Sequence, residues 1–532
     1  MPVMELGTQA PVVPSHEGGD VFRADDWTRL DRALIVGSDA GTFYATGRDL
    51  SVDNMRAVAR CLKEDPYRTM ARVAEVSTKG LAPKNDPALM ATAIASTSPD
   101  TETRLLAWGA LPTVARIGTH LFHFMAYRKA IAKKMTVSRM GRTAIANWYG
   151  GKDPESLAYD LTKYQGRDGV SHRDILRIYH PTPRSEAHSA LYGYAVSGEV
   201  KDDVGDWVDD GVAPPNWFSY LQAVEHAKVA TTEEEVVAWI EAYGLPRECV
   251  PTQWLTSRAV WEALVAKMPV GALIRNLNKL TAVGVFDDPQ HASRAADILT
   301  TGSVLKRGRI HPIQVLLAAR TYAQGHGDKG SLSWTPNRTI VEALDAAFPI
   351  AFGAVEASGR RIRLCVDTSE SMTARTTMGL SAREIGAAMA LVTQATEPHA
   401  DLIGFSGHLS GLPIRPGMTL SDVTSRVLAL EANATYCRLP IEDALKRRTE
   451  YDAFVMYTDG ETADGRYDTP SFHDTLAQYR ALVSPATFVV AALSANDIQL
   501  SDPGDALSLD IAGMSADVPA TIAAFIEGAG GW

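Results

Sequence analysis

The rhythm of apolar residues changes once along this chain, near residue 360, and that change limits what it can fold into. Before about residue 357 apolar positions recur at helical spacing. Thr232 and Glu235 form a capping box, Val236, Ile240 and Tyr243 follow on one face, and Gly244 with Pro246 closes the segment. Trp261, Leu264, Val265 and Met268 repeat the pattern, and Pro269 suits the first turn of a helix carrying Leu273, Leu277 and Leu280. Similar helical segments are expected at 58–76, 104–134 and 154–164. They share no fixed period, so a solenoid built from them has degenerate repeats. After Arg360 short apolar runs alternate with helical ones, at 362–366, 381–396, 402–405, 420–430, 453–457, 471–482 and 486–493. Such alternation predicts a parallel sheet covered on both faces, with outer helices at 422–431 and 522–528. The expected fold is therefore multidomain. A flexible tail (1–20) precedes an all-α helical domain (21–357), and a doubly wound α/β domain (358–532) follows.

Charge divides at the same boundary. The whole chain has a net charge of −11, which by itself speaks against a nucleic-acid partner. From residue 361 onward there are 12 Lys+Arg against 22 Asp+Glu, while the first 360 residues hold 40 and 41. Within that neutral part lie acid-free islands. Residues 103–152 carry Arg104, Arg116, Arg128, Lys129, Lys133, Lys134, Arg139, Arg142 and Lys152 with no Asp or Glu, and 302–327 carries Lys306, Arg307, Arg309 and Arg320 likewise. Stretches of this kind produce local positive potential whatever the total charge. The first island also interleaves His120, Phe122, His123, Phe124, Tyr127, Trp148 and Tyr149. Cations mixed with aromatic rings suit sequence-tolerant binding of single strands, and cations on a rim can hold a folded RNA by its phosphates. Arg116, His120, Lys129, Lys133, Lys134, Arg139 and Arg142 are the candidate contacts there, followed by Lys163, Arg167, His172, Arg173 and Arg177. Phe122, Phe124 and Trp148 fall inside helices and are expected in the core. His120 has two readings, an RNA contact or a satisfied buried histidine.

The four cysteines, Cys61, Cys249, Cys365 and Cys437, form no CxxC pair, which argues against a disulfide framework or a thiolate zinc site. No apolar run approaches the roughly 20 residues that span a bilayer, and the N-terminus lacks the basic and apolar regions of a secretory signal. A cytoplasmic protein without a membrane partner is expected.

Beyond the first strand of the second domain stands Asp367-x-Ser369-x-Ser371. Strand ends of an open α/β sheet are where ligands bind. One carboxylate and two hydroxyls make a hard oxygen set for Mg²⁺ or Mn²⁺, which needs about six oxygens and so further loops. Thr435 lies in one such loop, and Asp459 ends a later strand. There is no Gly-x-Ser-x-Gly elbow, no Walker motif and no His-Glu-x-x-His, so no catalytic machinery is visible and a binding protein is expected rather than an enzyme.

The order Asp-x-Ser-x-Ser, Thr loop, strand–Thr–Asp–Gly resembles the metal-ion-dependent adhesion site of von Willebrand factor A domains. The resemblance implies that Asp367, Ser369, Ser371, Thr435 and Asp459 hold a divalent cation whose shell a partner carboxylate completes. Residues 37–44, 116–122, 144–149, 162–164, 171–177, 268–277, 311–314 and 344–348 resemble, in one collinear order, the TROVE domain of Ro proteins, most of all bacterial members. That resemblance implies a ring of HEAT-like helical repeats whose two ends are joined by the A domain. It implies Y RNA bound outside the ring, single-stranded 3′ ends of misfolded RNA in the central hole, and a 3′-to-5′ exoribonuclease as partner in RNA quality control or decay. A ring closed within one chain needs no second subunit, so a monomer is expected. This sequence departs from the family's Gly-Gly-Thr-Asp-Cys at the third metal loop, reading Asn433, Ala434, Thr435, Tyr436, Cys437. RNA is expected to avoid the acidic A domain. The competing function is a protein-assembly scaffold using helical repeats and a metal-dependent adhesion site, for which acid-free basic stretches have no purpose.

Overall fold

The computed structural model describes residues 12–14, 18–23, 25–36, 55–79, 82, 84–132, 137–200, 215–310, 312–327, 331–351, 358–373, 381–412, 414–415, 418, 422–423, 426, 430, 434–466, 469–493, 498–502, 505, 507–512 and 518–527. Helices dominate as far as Ala351. Their starts are written locally. Asp100, Ser138, Asp153, Ser171, Ser185, Thr232 and Ser257 each accept, with a side-chain oxygen, the N–H three residues on. Each such cap satisfies an otherwise orphaned donor and contributes about 1 kcal/mol. The expected segment at 58–76 is two helices, Arg56–Glu64 and Pro66–Lys79, because Pro66 disfavours helical backbone at Asp65 before it. The segment at 104–134 also divides, into Thr101–Val114 and Gly118–Ala132. Pro269 stands one residue outside its helix, as N-cap of Val270–Ala282.

The strands, in chain order, are β1 (Val12–Pro14), β2 (Asp20–Arg23), β3 (Gly166–Arg167), β4 (Val170–Ser171), β5 (Ile362–Asp367), β6 (Ala400–Phe405), β7 (Leu409–Gly411), β8 (Ala453–Thr458), β9 (Thr487–Ala492), β10 (Ile498–Gln499) and β11 (Ser508–Ala512). The main sheet runs β11-β9-β8-β5-β6-β7. It is parallel except for β7, which pairs antiparallel with β6. The expectation of a wholly parallel sheet is corrected here: three residues separate β6 from β7, enough for a hairpin and too few for a crossover. β5, β8 and β9 are buried at every position, as strands covered on both faces must be.

The expected tail also needs correcting. Val12–Pro14 and Asp20 lie in strands, and β2 pairs with both β1 and β10, setting Phe22 opposite Gln499 and Arg23 opposite Ile498. Residues 1–11 and 15–17 of the expected tail lie outside the described residues.

Both ends of the helical domain reach the second domain. At the N-terminal end helix Asp26–Val36 packs against β11. At the other end the helical core through Phe348 is continuous with the sheet face bearing Ile362, Leu364, Val455 and Val489. There, Arg320 on Pro312–Ala323 pairs with the buried Glu384 at 3.2 Å. Helical repeats anchored at both ends in one domain form a ring.

Candidate nucleic-acid interface and metal centre

The candidate RNA contacts separate by burial. Helix His172–Tyr179 buries His172, Ile175, Leu176 and Tyr179, which leaves Arg173 and Arg177 on the opposite, exposed face. Helix Arg139–Gly150 buries Gly141, Ala144, Ile145, Trp148 and Tyr149 and exposes Arg139 and Arg142. Lys129 is exposed in the last turn of Gly118–Ala132, and Arg167 is exposed on the β3–β4 hairpin. None of these six cations forms an ion pair among the described residues. Arg139, Arg142 and Arg173 also stand in first helical turns, where a cation opposes the helix dipole by about 0.3–1 kcal/mol. The same helix N-termini attract phosphate. Unpaired cations placed against the local dipole make sense on a surface that meets an anion.

Four further candidates are held wholly or partly inside the fold. His172 is 3 % exposed, its Nδ1 lies 2.7 Å from the Tyr149 hydroxyl, and it packs among Phe122, Trp148 and Tyr149. Burial pushes its pKa down to about 3, so it is a neutral core histidine, and its assignment as a contact is corrected. His120 is partly buried, with Nδ1 3.2 Å from the Asn85 amide nitrogen, and burial together with Arg116 lowers it to about 4. Arg116 donates from Nη1 to both the carbonyl and the hydroxyl of Ser77 at 2.7 Å, tying the connection between Thr101–Val114 and Gly118–Ala132 to helix Pro66–Lys79. Lys163 is partly buried, 3.0 Å from the Tyr159 hydroxyl and close to the faces of Tyr159 and Tyr164. Lys133 and Lys134 lie outside the described residues, as do 37–44 of the family-like segments. Phe122, Phe124 and Trp148 are buried as expected.

Two features escaped the sequence reading. Burial and, after it, the charge of Arg309, itself exposed in a left-handed conformation (φ 49°), lower the Arg116 guanidinium, so the two acid-free islands approach one another. His180 (φ 45°) caps the Arg173/Arg177 helix and is exposed, and Arg184 reaches Asn147 at 3.2 Å. Only tertiary packing brings Arg309 towards Arg116 and Arg184 to Asn147.

In the second domain the metal candidates converge where the adjacent strands β5 and β8 end. Asp367 accepts from the Ser369 N–H at 2.8 Å through Oδ1 and from the Thr458 hydroxyl at 2.7 Å through Oδ2. The Ser369 and Ser371 hydroxyls are 3.0 Å apart. Asp459 accepts the Glu461 N–H at 3.0 Å, and the Thr435 carbonyl accepts from Ala463 at 2.8 Å, which joins the third loop to the Asp459 loop. All five residues are buried. Burial and the Asp459 charge push the Asp367 carboxyl well above the ordinary carboxylate range. Buried like charges call for a counter-charge, and two carboxylates with three hydroxyls suit a hard divalent cation. Among the described residues no three His, Cys, Asp or Glu cluster in metal-binding fashion, so such a cation depends on the hydroxyls. The buried Arg383 donates to the carbonyls of Thr368 and Ser369 and so fixes the loop from behind. Asn433 is outside the described residues.

Comparison with known proteins places both halves. Residues 13–321 match the TROVE domain and residues 361–526 match the Ro60 vWA domain. The chain is 36 % identical to a Deinococcus radiodurans protein named RNA-binding protein RO60, over 97 % of this chain and 95 % of that one. It is 32 % identical to a Caenorhabditis elegans protein of the same name, over 97 % and 90 %. The crystal structure of the Deinococcus radiodurans Ro (Rsr) protein superposes with a TM-score of 0.71 at 34 % identity, covering 95 % of this chain and 100 % of that one. The helical ring, the A-type sheet and these matches together make the chain a member of the TROVE-domain Ro60 family.

Proposed function

We propose that this protein binds RNA through the helical ring. It holds folded small noncoding RNAs of the Y class on the outer surface and single-stranded 3′ ends of misfolded RNA in the central hole. The observation that carries the reading is the set of exposed cations Lys129, Arg139, Arg142, Arg167, Arg173 and Arg177, which form no ion pair among the described residues. A protein-assembly scaffold has no use for such a set. The relatives' name, RNA-binding protein, supports the same reading. The role is non-catalytic, and a 3′-to-5′ exoribonuclease acting on the delivered RNA is the partner this reading calls for in RNA quality control or decay. In the second domain Asp367, Ser369, Ser371, Thr435 and Asp459 would hold Mg²⁺ or Mn²⁺, which supplies an electrophilic centre for a carboxylate of a protein partner. The protein works as a cytoplasmic monomer. No helix among the described residues is long and apolar enough to cross a membrane.

The test is binding to a structured RNA with and without a single-stranded 3′ tail, across a salt titration. Tight, salt-dependent binding strengthened by the tail is expected. Binding no tighter than that of an ordinary acidic protein would favour the protein-scaffold reading instead.

A further inference from the structure

A cavity of about 320 Å³ opens where helix Pro154–Lys163 meets Glu233–Tyr243, Arg258–Ala266 and Val270–Ala282. Its volume falls in the range of small-ligand sites. The floor is apolar, with Ile240, Leu245 and Leu264 buried, and the Tyr159 ring stands at one side. The rim is cationic. Lys163 has its ammonium on the Tyr159 hydroxyl at 3.0 Å and feels the charge of Glu248, and Lys267 donates to the Glu241 carbonyl at 2.7 Å; neither forms an ion pair among the described residues. Arg275, exposed on the face of its helix opposite Leu273, Ile274 and Leu277, has no ion pair among the described residues. Glu248 is the cavity's carboxylate, and it is already drawn to Arg247 at 3.6 Å.

We propose that this cavity is a nucleotide subsite, taking a base on its apolar floor beside Tyr159 and a phosphate on Lys163, Lys267 and Arg275. A purely apolar ligand would leave Lys267 and Arg275 uncompensated, and a bare inorganic anion would leave the floor and the ring unused. A nucleoside phosphate satisfies both parts, since a base stacks on an aromatic face and phosphate accepts charge-assisted hydrogen bonds. The source is either a free nucleotide or a nucleotide of a bound strand. For the second source the proposal rests on the RNA-binding reading, because Lys163 belongs to the candidate contacts.

The test is equilibrium dialysis of the full chain with AMP, adenosine and inorganic phosphate. AMP binds saturably, and more tightly than adenosine or phosphate. Arg275→Glu and Lys267→Glu, both exposed changes that leave the core alone, each weaken AMP at least about tenfold. Tyr159→Leu weakens AMP more than phosphate, and Lys446→Glu, exposed on the second domain, leaves AMP binding unchanged. Displacement of AMP by a 3′-tailed RNA identifies the strand as the source, whereas its absence identifies the free nucleotide. The proposal is overturned if AMP does not saturate, if phosphate competes as well as AMP (an adventitious anion patch), or if Arg275→Glu and Lys267→Glu are silent. RNA affinity that depends on Arg139 and Arg173 survives that outcome, so the two readings fail separately.

Discussion

Replacing Arg139, Arg142, Arg173 and Arg177 together by alanine removes four exposed cations that have no ion pair among the described residues. Counterion release makes log K fall with log salt at about 0.9 per neutralised phosphate on a duplex and about 0.7 on a single strand. If each side chain holds one phosphate, the slope falls by up to about 3.6 on duplex RNA and about 2.8 on a single strand. At 0.15 M salt each released counterion is worth roughly 1 kcal/mol, so the four together approach 4 kcal/mol, near 10³-fold in affinity. The fold does not suffer, because three of the four replacements relieve a cation at a helix N-terminus. The assay is fluorescence anisotropy with a tailed RNA from 50 to 300 mM KCl, beside a thermal melt. A slope lowered by at least about 2, at an unchanged melting temperature, is the expected result. An unchanged slope would refute the placement, and so would an affinity loss equal at all salt concentrations.

Two further outcomes are expected. Asp367→Ala lowers Mg²⁺ or Mn²⁺ affinity, measured by calorimetry, by at least the roughly 10–100-fold that loss of an outer-shell partner costs. It leaves the RNA salt curve in place, and a metal affinity that survived would remove the ligand assignment. His172→Gln destabilises the protein by about 1–3 kcal/mol while sparing RNA affinity, because that ring packs the core. The same variant also flattens the pH dependence of stability. The histidine ionises near 6.5 when unfolded and near 3 when folded. The unfolded chain alone therefore takes up its proton as pH falls below about 6.5, and stability drops by up to about 1.4 kcal/mol per pH unit. Denaturant midpoints at pH 7, 6 and 5 that fall equally in both proteins would contradict this.

Much of the fold was legible because its signals are local. The Thr232/Glu235 capping box read from sequence appears as such, Gly244 closes the helix in a left-handed conformation, and the alternation after 360 marks β5, β6, β8 and β9 to within about two residues while β7, β10 and β11 have no counterpart in it. What was hidden is what depends on distant contacts. Nothing near Asp20 announces that β2 will pair with β10, nearly the whole chain away. His172 carries the same local signal as Arg173 beside it, and only the packing of Phe122 and Trp148 turns one inward and leaves the other in water. The approach of Arg309 to Arg116 joins residues nearly 200 positions apart, which no local pattern encodes. The convergence of the Asp367, Thr435 and Asp459 loops was legible because each follows a readable strand or precedes a readable helix.

The most direct measurement is ultraviolet cross-linking of a tailed, structured RNA to the full chain, with the modified peptides mapped by mass spectrometry. Cross-links concentrated in 116–180 and around 306–309, and absent from 361–526, are the expected result. Cross-links concentrated in the acidic second domain, with the helical cations untouched, would contradict the reading.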